Sequence, residues 1–154
     1  MKPIETLCEE FEQMTQGEFM LTLSKYMTKA MSTVNNADSE QDALSALGIL
    51  ACSSVVADDA IDDIEFTVLY NGLKATMGDK VDIDDCLRLA QYTLDNKDNF
   101  RESALDLAEN YLAFWDKEDK ESVIMFCIAL CAIDRKVSDK EIDWLKNLIS
   151  AAGI

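Results

Sequence analysis

The sequence predicts a single compact all-α domain of about seven or eight helices, arranged as two similar helical halves. Three observations predict it. One proline and five glycines in 154 residues, among many Ala, Leu, Met, Glu and Lys, favour helix because those side chains lose little rotamer freedom there. No sustained two-residue alternation competes with this pattern. Finally, Asp58-Asp59-Ala60-Ile61-Asp62-Asp63-Ile64-Glu65 is echoed by Asp134-Arg135-Lys136-Val137-Ser138-Asp139-Lys140-Glu141 at a constant offset (134 − 58 = 76). Each copy follows an apolar run and precedes a helical pattern, so the unit reads as helix, acidic turn, helix.

In chain order, Pro3 suits the first turn of a helix running to about Gln16, where Gly17 breaks it. A second helix over about Glu18 to Val34 carries Met20, Leu23, Met27 and Met31 on one face. Asp38 with Gln41 resembles a capping box for the third, which carries Leu44, Leu47, Leu50 and Val55. After Asp62 a fourth runs to about Met77, and Gly78-Asp79 ends it. The fifth turns Cys86, Leu89, Ala90 and Tyr92 or Thr93 to the core, and Asp95 to Asp98 form a polar break. Asn99 with Glu102 starts the sixth, which passes through Tyr111, Leu112 and Trp115. Asp116 to Asp119 interrupt, a seventh holds Val123, Phe126, Cys127 and Leu130, and the eighth holds Ile142, Leu145, Leu148 and Ile149. Tyr111, Phe114 and Trp115 read as packing residues. The two halves span about residues 38–78 and 116–152, and a pseudo-twofold packing would bring the acidic turns onto one face.

With 14 basic against 30 acidic residues, no histidine and a formal charge of −16, the chain is unsuited to nucleic acid, whose phosphates require Lys and Arg. It is equally unsuited to anionic lipid surfaces. Its longest apolar run, Val123 to Ile133, falls short of the roughly 20 residues of a membrane span. Met1-Lys2-Pro3-Ile4-Glu5 lacks a signal peptide's apolar core, which places the protein in the cytoplasm. The five cysteines lack Cys-x-x-Cys spacing and read as reduced core residues rather than a redox or zinc site.

The repeated turn has a spacing with chemical content. Asp, then an aliphatic residue three positions on, then Glu four further on, matches positions five, eight and twelve of an EF-hand loop. The first and third positions are Ser54 and Val56 in one copy and Leu130 and Ala132 in the other, so a complete EF-hand is excluded. Two half-loops remain, offering Asp58, Asp62, Asp63 and Glu65 from one copy and Asp134, Asp139 and Glu141 from the other. Carboxylates within about 4 Å repel by roughly 4 kcal/mol per pair at an effective dielectric near 20. Such a cluster favours a divalent cation, with Ca, Mg or Mn suited to oxygen ligands, or else protonation.

Helix capping accounts for many of the same residues. Ser138 with Glu141, and Asp62 with Glu65, fit capping boxes, and acidic residues in a first turn suit the helix dipole. Asp58 and Asp134 stand four residues before the cap, where capping does not account for them.

Ala57-Asp58-Asp59-Ala60-Ile61-Asp62-Asp63-Ile64-Glu65 resembles the Ala-Asp-Gly-x-Ile-Ser-x-x-Glu signature of TerB-like tellurite-resistance domains, and Asp134 to Glu141 resembles its second occurrence. The resemblance covers about residues 38–152. It implies an all-α fold of two similar halves and a cytoplasmic protein of tellurite resistance, stress response or phage defence. It also implies a metal site at Asp58, Glu65, Asp134 and Glu141, with Asp62 and Ser138 at the Ser position, and service in complexes with membrane-bound partners. Asp59 and Arg135 replace the signature's Gly, and in the second copy Ile133 replaces its Ala; Arg135 would bring a positive charge to the proposed site.

Three functions follow as expectations. One is a non-catalytic module that binds a divalent cation and docks to proteins, and another is a metal-free interaction domain whose acidic face meets a basic partner. The third, a metal-dependent hydrolase, is disfavoured because no histidine, phosphate-cradling glycine loop or nucleophile with an adjacent base is present.

Overall fold

The computed structural model describes residues 1–61, 63, 66–67, 70–71, 74 and 82–154. The fold is all-helical, and among the described residues there is no strand. The described helices are α1 (Ile4–Glu12), α2 (Gln16–Asn35), α3 (Glu40–Val55), α4 (Ile83–Asp95), α5 (Lys97–Asn110), α6 (Lys117–Cys131) and α7 (Asp139–Ala151), with a 3₁₀ turn at Leu112–Phe114. Asp63, Phe66, Thr67, Tyr70, Asn71 and Lys74 are helical. The rest of the expected fourth helix, with Gly78 and Asp79, lies outside the described residues.

Burial follows the apolar patterning. From Phe126 to Ile133 every residue is buried, because α6 from Val123 onward is apolar on all sides and such a stretch is stable only at the centre of a bundle. α2 and α3 pack against it most extensively. α2 contributes Phe19, Leu23, Met27, Ala30 and Val34 to the core, and α7 contributes Trp144, Leu145 and Leu148.

Several expected boundaries are corrected. α1 ends at Glu12, and Gly17 lies inside α2 rather than breaking a helix. Thr15 Oγ1 accepts from the Glu18 N–H at 3.2 Å, and the Thr15 N–H donates to Glu18 Oε1 at 3.3 Å. That capping box satisfies the first-turn donors and outweighs the glycine beside it. The cap of α3 is Ser39, whose Oγ accepts from the Asp42 N–H, rather than Asp38. Only Asn96 separates α4 from α5; its Nδ2 donates to the Tyr92 carbonyl at the end of α4, and it makes no side-chain cap for α5. Of the expected break at Asp116 to Asp119 only Asp116 stands outside α6, with Lys117–Asp119 forming the helix's first turn.

Phe114 and part of the expected α4 face are exposed instead of packed. Phe114 is 83 % exposed, because α5 stops at Asn110 and the 3₁₀ turn carries the ring outward. α4 buries only Thr93, and Tyr92 (59 %) and Leu89 (49 %) stand in solvent. Leu44 on α3 is exposed as well.

Candidate metal centre at the repeated acidic turns

The two turns repeat one another in backbone geometry. α3 and α6 end on Val56 (φ −99°, ψ 14°) and Ala132 (φ −94°, ψ 11°). The Ala57 N–H then donates to the Ser54 carbonyl and the Ile133 N–H to that of Leu130. Next the Asp59 N–H donates to Val56 O at 2.9 Å and the Arg135 N–H to Ala132 O at 2.7 Å. Asp58 Oδ1 accepts from the Ala60 N–H at 3.3 Å, and Asp134 Oδ1 accepts from the Lys136 N–H at 3.0 Å. Both carboxylates therefore close Asx turns, which supplies the role that helix capping left open.

The residue after each aspartate is left-handed, with φ 70° at Asp59 and φ 57° at Arg135. These are the positions where the resembled signature carries Gly, the residue that adopts positive φ without a Cβ clash. Here contacts hold each in place. Asp59 pairs with Arg101 (2.7 Å), Lys140 (2.8 Å) and Lys97 (3.4 Å). The Lys140, Arg101 and Lys97 contacts keep its carboxyl well below the usual range. Arg101 Nη2 also donates to the Val56 and Ala57 carbonyls, clamping the turn. The Arg135 guanidinium lies 5.8 Å from the Phe19 ring centroid, so its charge is engaged by an aromatic face.

Buried contacts between helices fix the turns side by side. Trp144 Nε1 on α7 donates to Ser54 Oγ on α3 at 3.3 Å, and Cys131 Sγ on α6 donates to the Ser54 carbonyl at 3.4 Å. Glu12 Oε1 of α1 accepts from the Val137 N–H at 3.1 Å. The second turn is thereby held by two helices, α1 and α3, besides its own two.

Glu141 is the buried carboxylate of this region, 6 % exposed. The expected capping box is present: the Ser138 N–H donates to Glu141 Oε1 at 3.0 Å and the Glu141 N–H to Ser138 Oγ at 3.2 Å. Burial pushes the Glu141 carboxyl up to about 7, and Asp58 and Asp134 push in the same direction. Asp58 reaches it across 83 residues of chain (141 − 58 = 83), so a carboxylate of the first turn shares the second turn's electrostatic environment. Burial also raises the Cys131 thiol well above its ordinary value, with Glu141 adding to the effect.

Asp58, Asp134 and Glu141 are thus brought into one environment. Asp63 and Asp139 are exposed on the outer first turns, and Ser138 is engaged in its cap. Asp62 and Glu65 lie outside the described residues. Among the described residues, no three cysteine or carboxylate groups are grouped closely enough to hold a metal ion. Asp58, Asp134 and Glu141 offer only oxygen, the donor type of a hard cation. Sequence reasoning missed Glu12, Lys97, Arg101 and Lys140, which reach the turns from other helices and leave no mark in local spacing.

All five cysteines are free thiols, and burial raises Cys127 to about 12 and Cys8 to about 11, which makes them poor nucleophiles. No helix among the described residues is long and apolar enough to cross a membrane. In comparisons with known proteins, the chain matches no family model, no curated protein and no solved structure.

Proposed function

We propose that this protein is a non-catalytic, TerB-like stress-response module that binds a divalent cation at its paired acidic turns and docks to protein partners. In this reading it is cytoplasmic, takes part in tellurite resistance or a related stress response, and works beside a membrane-associated complex. The supporting observation is the raised carboxyl of Glu141, buried and under the influence of both Asp58 and Asp134. Such a carboxylate gains from a cation or a proton, and Ca, Mg or Mn would offset its repulsion through Asp58, Asp134, Glu141 and the repeat partner Glu65.

The test is a melting curve near pH 8 in EDTA and then in millimolar calcium, magnesium or manganese. Cation at about a hundredfold over its Kd adds about 2.7 kcal/mol, or roughly 5–10 °C for a chain of this size. The rise should be selective for one ion and absent from a Glu65→Gln, Glu141→Gln double variant. An unselective response, or one that survives in the variant, removes the site.

One observation favours a metal-free acidic interaction domain instead. Asp58, Asp134 and Glu141 each already accept a backbone N–H, as helix caps and Asx turns require. That reading retains salt-sensitive binding of a basic partner while melting is indifferent to cations.

A further inference from the structure

Asp58 and Glu141 each have a charged neighbour in the chain, and those two neighbours hold one another. Asp59 follows Asp58 directly, Lys140 precedes Glu141 directly, and Lys140 Nζ donates to Asp59 Oδ2 at 2.8 Å. The other oxygen, Asp59 Oδ1, takes Arg101 at 2.7 Å and Lys97 at 3.4 Å. One carboxylate thereby collects three cations beside the paired acidic turns.

The three cations are not held alike. Arg101 also donates to the Val56 and Ala57 carbonyls and stands 3.6 Å from Asp98, so it keeps partners without Asp59. Lys97 and Lys140 have Asp59 as their one ion-pair partner among the described residues. The Lys140 side chain is 70 % exposed and carries its ammonium on a flexible four-carbon stem. Exposed ion pairs are weak, so an ammonium released there turns to the next carboxylates. Those are Asp139 beside it and the environment that Asp58, Asp134 and Glu141 share. The remaining cations of the turns do not depend on Asp59: Arg135 lies over the Phe19 ring, and Lys136 is exposed on the second turn.

We propose that Asp59 is a positioning residue that keeps Lys140, and with it Lys97, off the carboxylates of the paired turns and so leaves those carboxylates to a divalent cation. This role rests on the cation reading and deepens it. A tethered ammonium among the same oxygens competes with the ion, because a site that has gained a positive charge attracts a dication less. Asp59 sets the affinity through Lys140 without itself being a ligand.

A double-mutant cycle of Asp59→Asn and Lys140→Gln tests this, with manganese or calcium alone as titrant in a calorimeter and folding checked by circular dichroism. Asp59→Asn should weaken binding at least about fivefold, and adding Lys140→Gln should restore most of the loss. Simple loss of a nearby charge predicts otherwise, namely that Lys140→Gln acts equally in both backgrounds, and that result would overturn the proposal. A readout without metal comes from the side-chain carboxyl carbon signals of Asp134 and Glu141, recorded by NMR in EDTA. They should shift in Asp59→Asn and return in the double variant, and unmoved signals would also overturn the proposal. A native protein that takes up neither ion removes the cation reading itself, and the carboxyl signals then decide for or against the displacement of Lys140.

Discussion

Lys140 Nζ lies 2.8 Å from Asp59 Oδ2, joining the second acidic turn to the first across 81 residues of chain. The same carboxylate holds Arg101 at 2.7 Å, so one left-handed aspartate connects α5, α7 and the end of α3. This depends on Asp standing where a glycine would suit the backbone, since glycine would leave the three cations without their shared partner.

Asp59→Asn should therefore destabilise the fold at neutral pH by about 1–2 kcal/mol, the modest size reflecting partial exposure of these pairs. The cations lower the Asp59 carboxyl below its ordinary value. Its stabilisation is thus full above the ordinary carboxylate range and is lost as pH falls through the lowered value. Urea midpoints at pH 7 should separate the two proteins, and the gap should narrow in strong acid.

At Arg135 the backbone and side-chain effects can be separated. Arg135→Ala and Arg135→Gly both remove the contact with Phe19, but only alanine retains a Cβ at φ 57°. The glycine variant should be the more stable of the two by about 1 kcal/mol, measured by chemical denaturation.

Glu141 should give the opposite pH dependence to Asp59. Its carboxyl is raised from 4.5 to about 7, so the folded state favours the protonated form. Stability is full below the ordinary value and falls as pH rises through about 7, by up to about 3 kcal/mol. Glu141→Gln, which retains an amide oxygen for the Ser138 N–H, should lose this dependence between pH 5 and 8. A parallel melting-temperature profile for both proteins across that range would contradict the assignment.

Ser54→Ala removes the acceptor of the buried Trp144 Nε1. An indole N–H left without a partner costs about 1–3 kcal/mol, and the loss should appear in the urea midpoint together with a change in tryptophan emission.

Much of the helical order was legible before any coordinates, because apolar periodicity marks which face of a helix must leave water. The Ser138–Glu141 capping box was equally legible, being set by residues three apart. Where adjacent signals competed the reading failed: Gly17 suggested a break, but the Thr15–Glu18 box governs that end. The α4 face failed for another reason. Its spacing reports an apolar stripe but not how completely the rest of the fold covers it: Thr93 is buried, Cys86 and Ala90 are half-buried and Leu89 is exposed.

The sequence by itself determined an all-helical chain, two acidic turns at a fixed offset and a strongly negative charge. Each of these depends on residue type and local spacing, which the chain carries in one dimension. Only the tertiary structure decided that Asp58 influences Glu141, that Asp59 gathers Lys97, Arg101 and Lys140, and that Arg135 rests over Phe19. Charge repulsion, desolvation and ion pairing depend on distance through space and on exclusion of water, and packing α3, α6 and α7 together sets both.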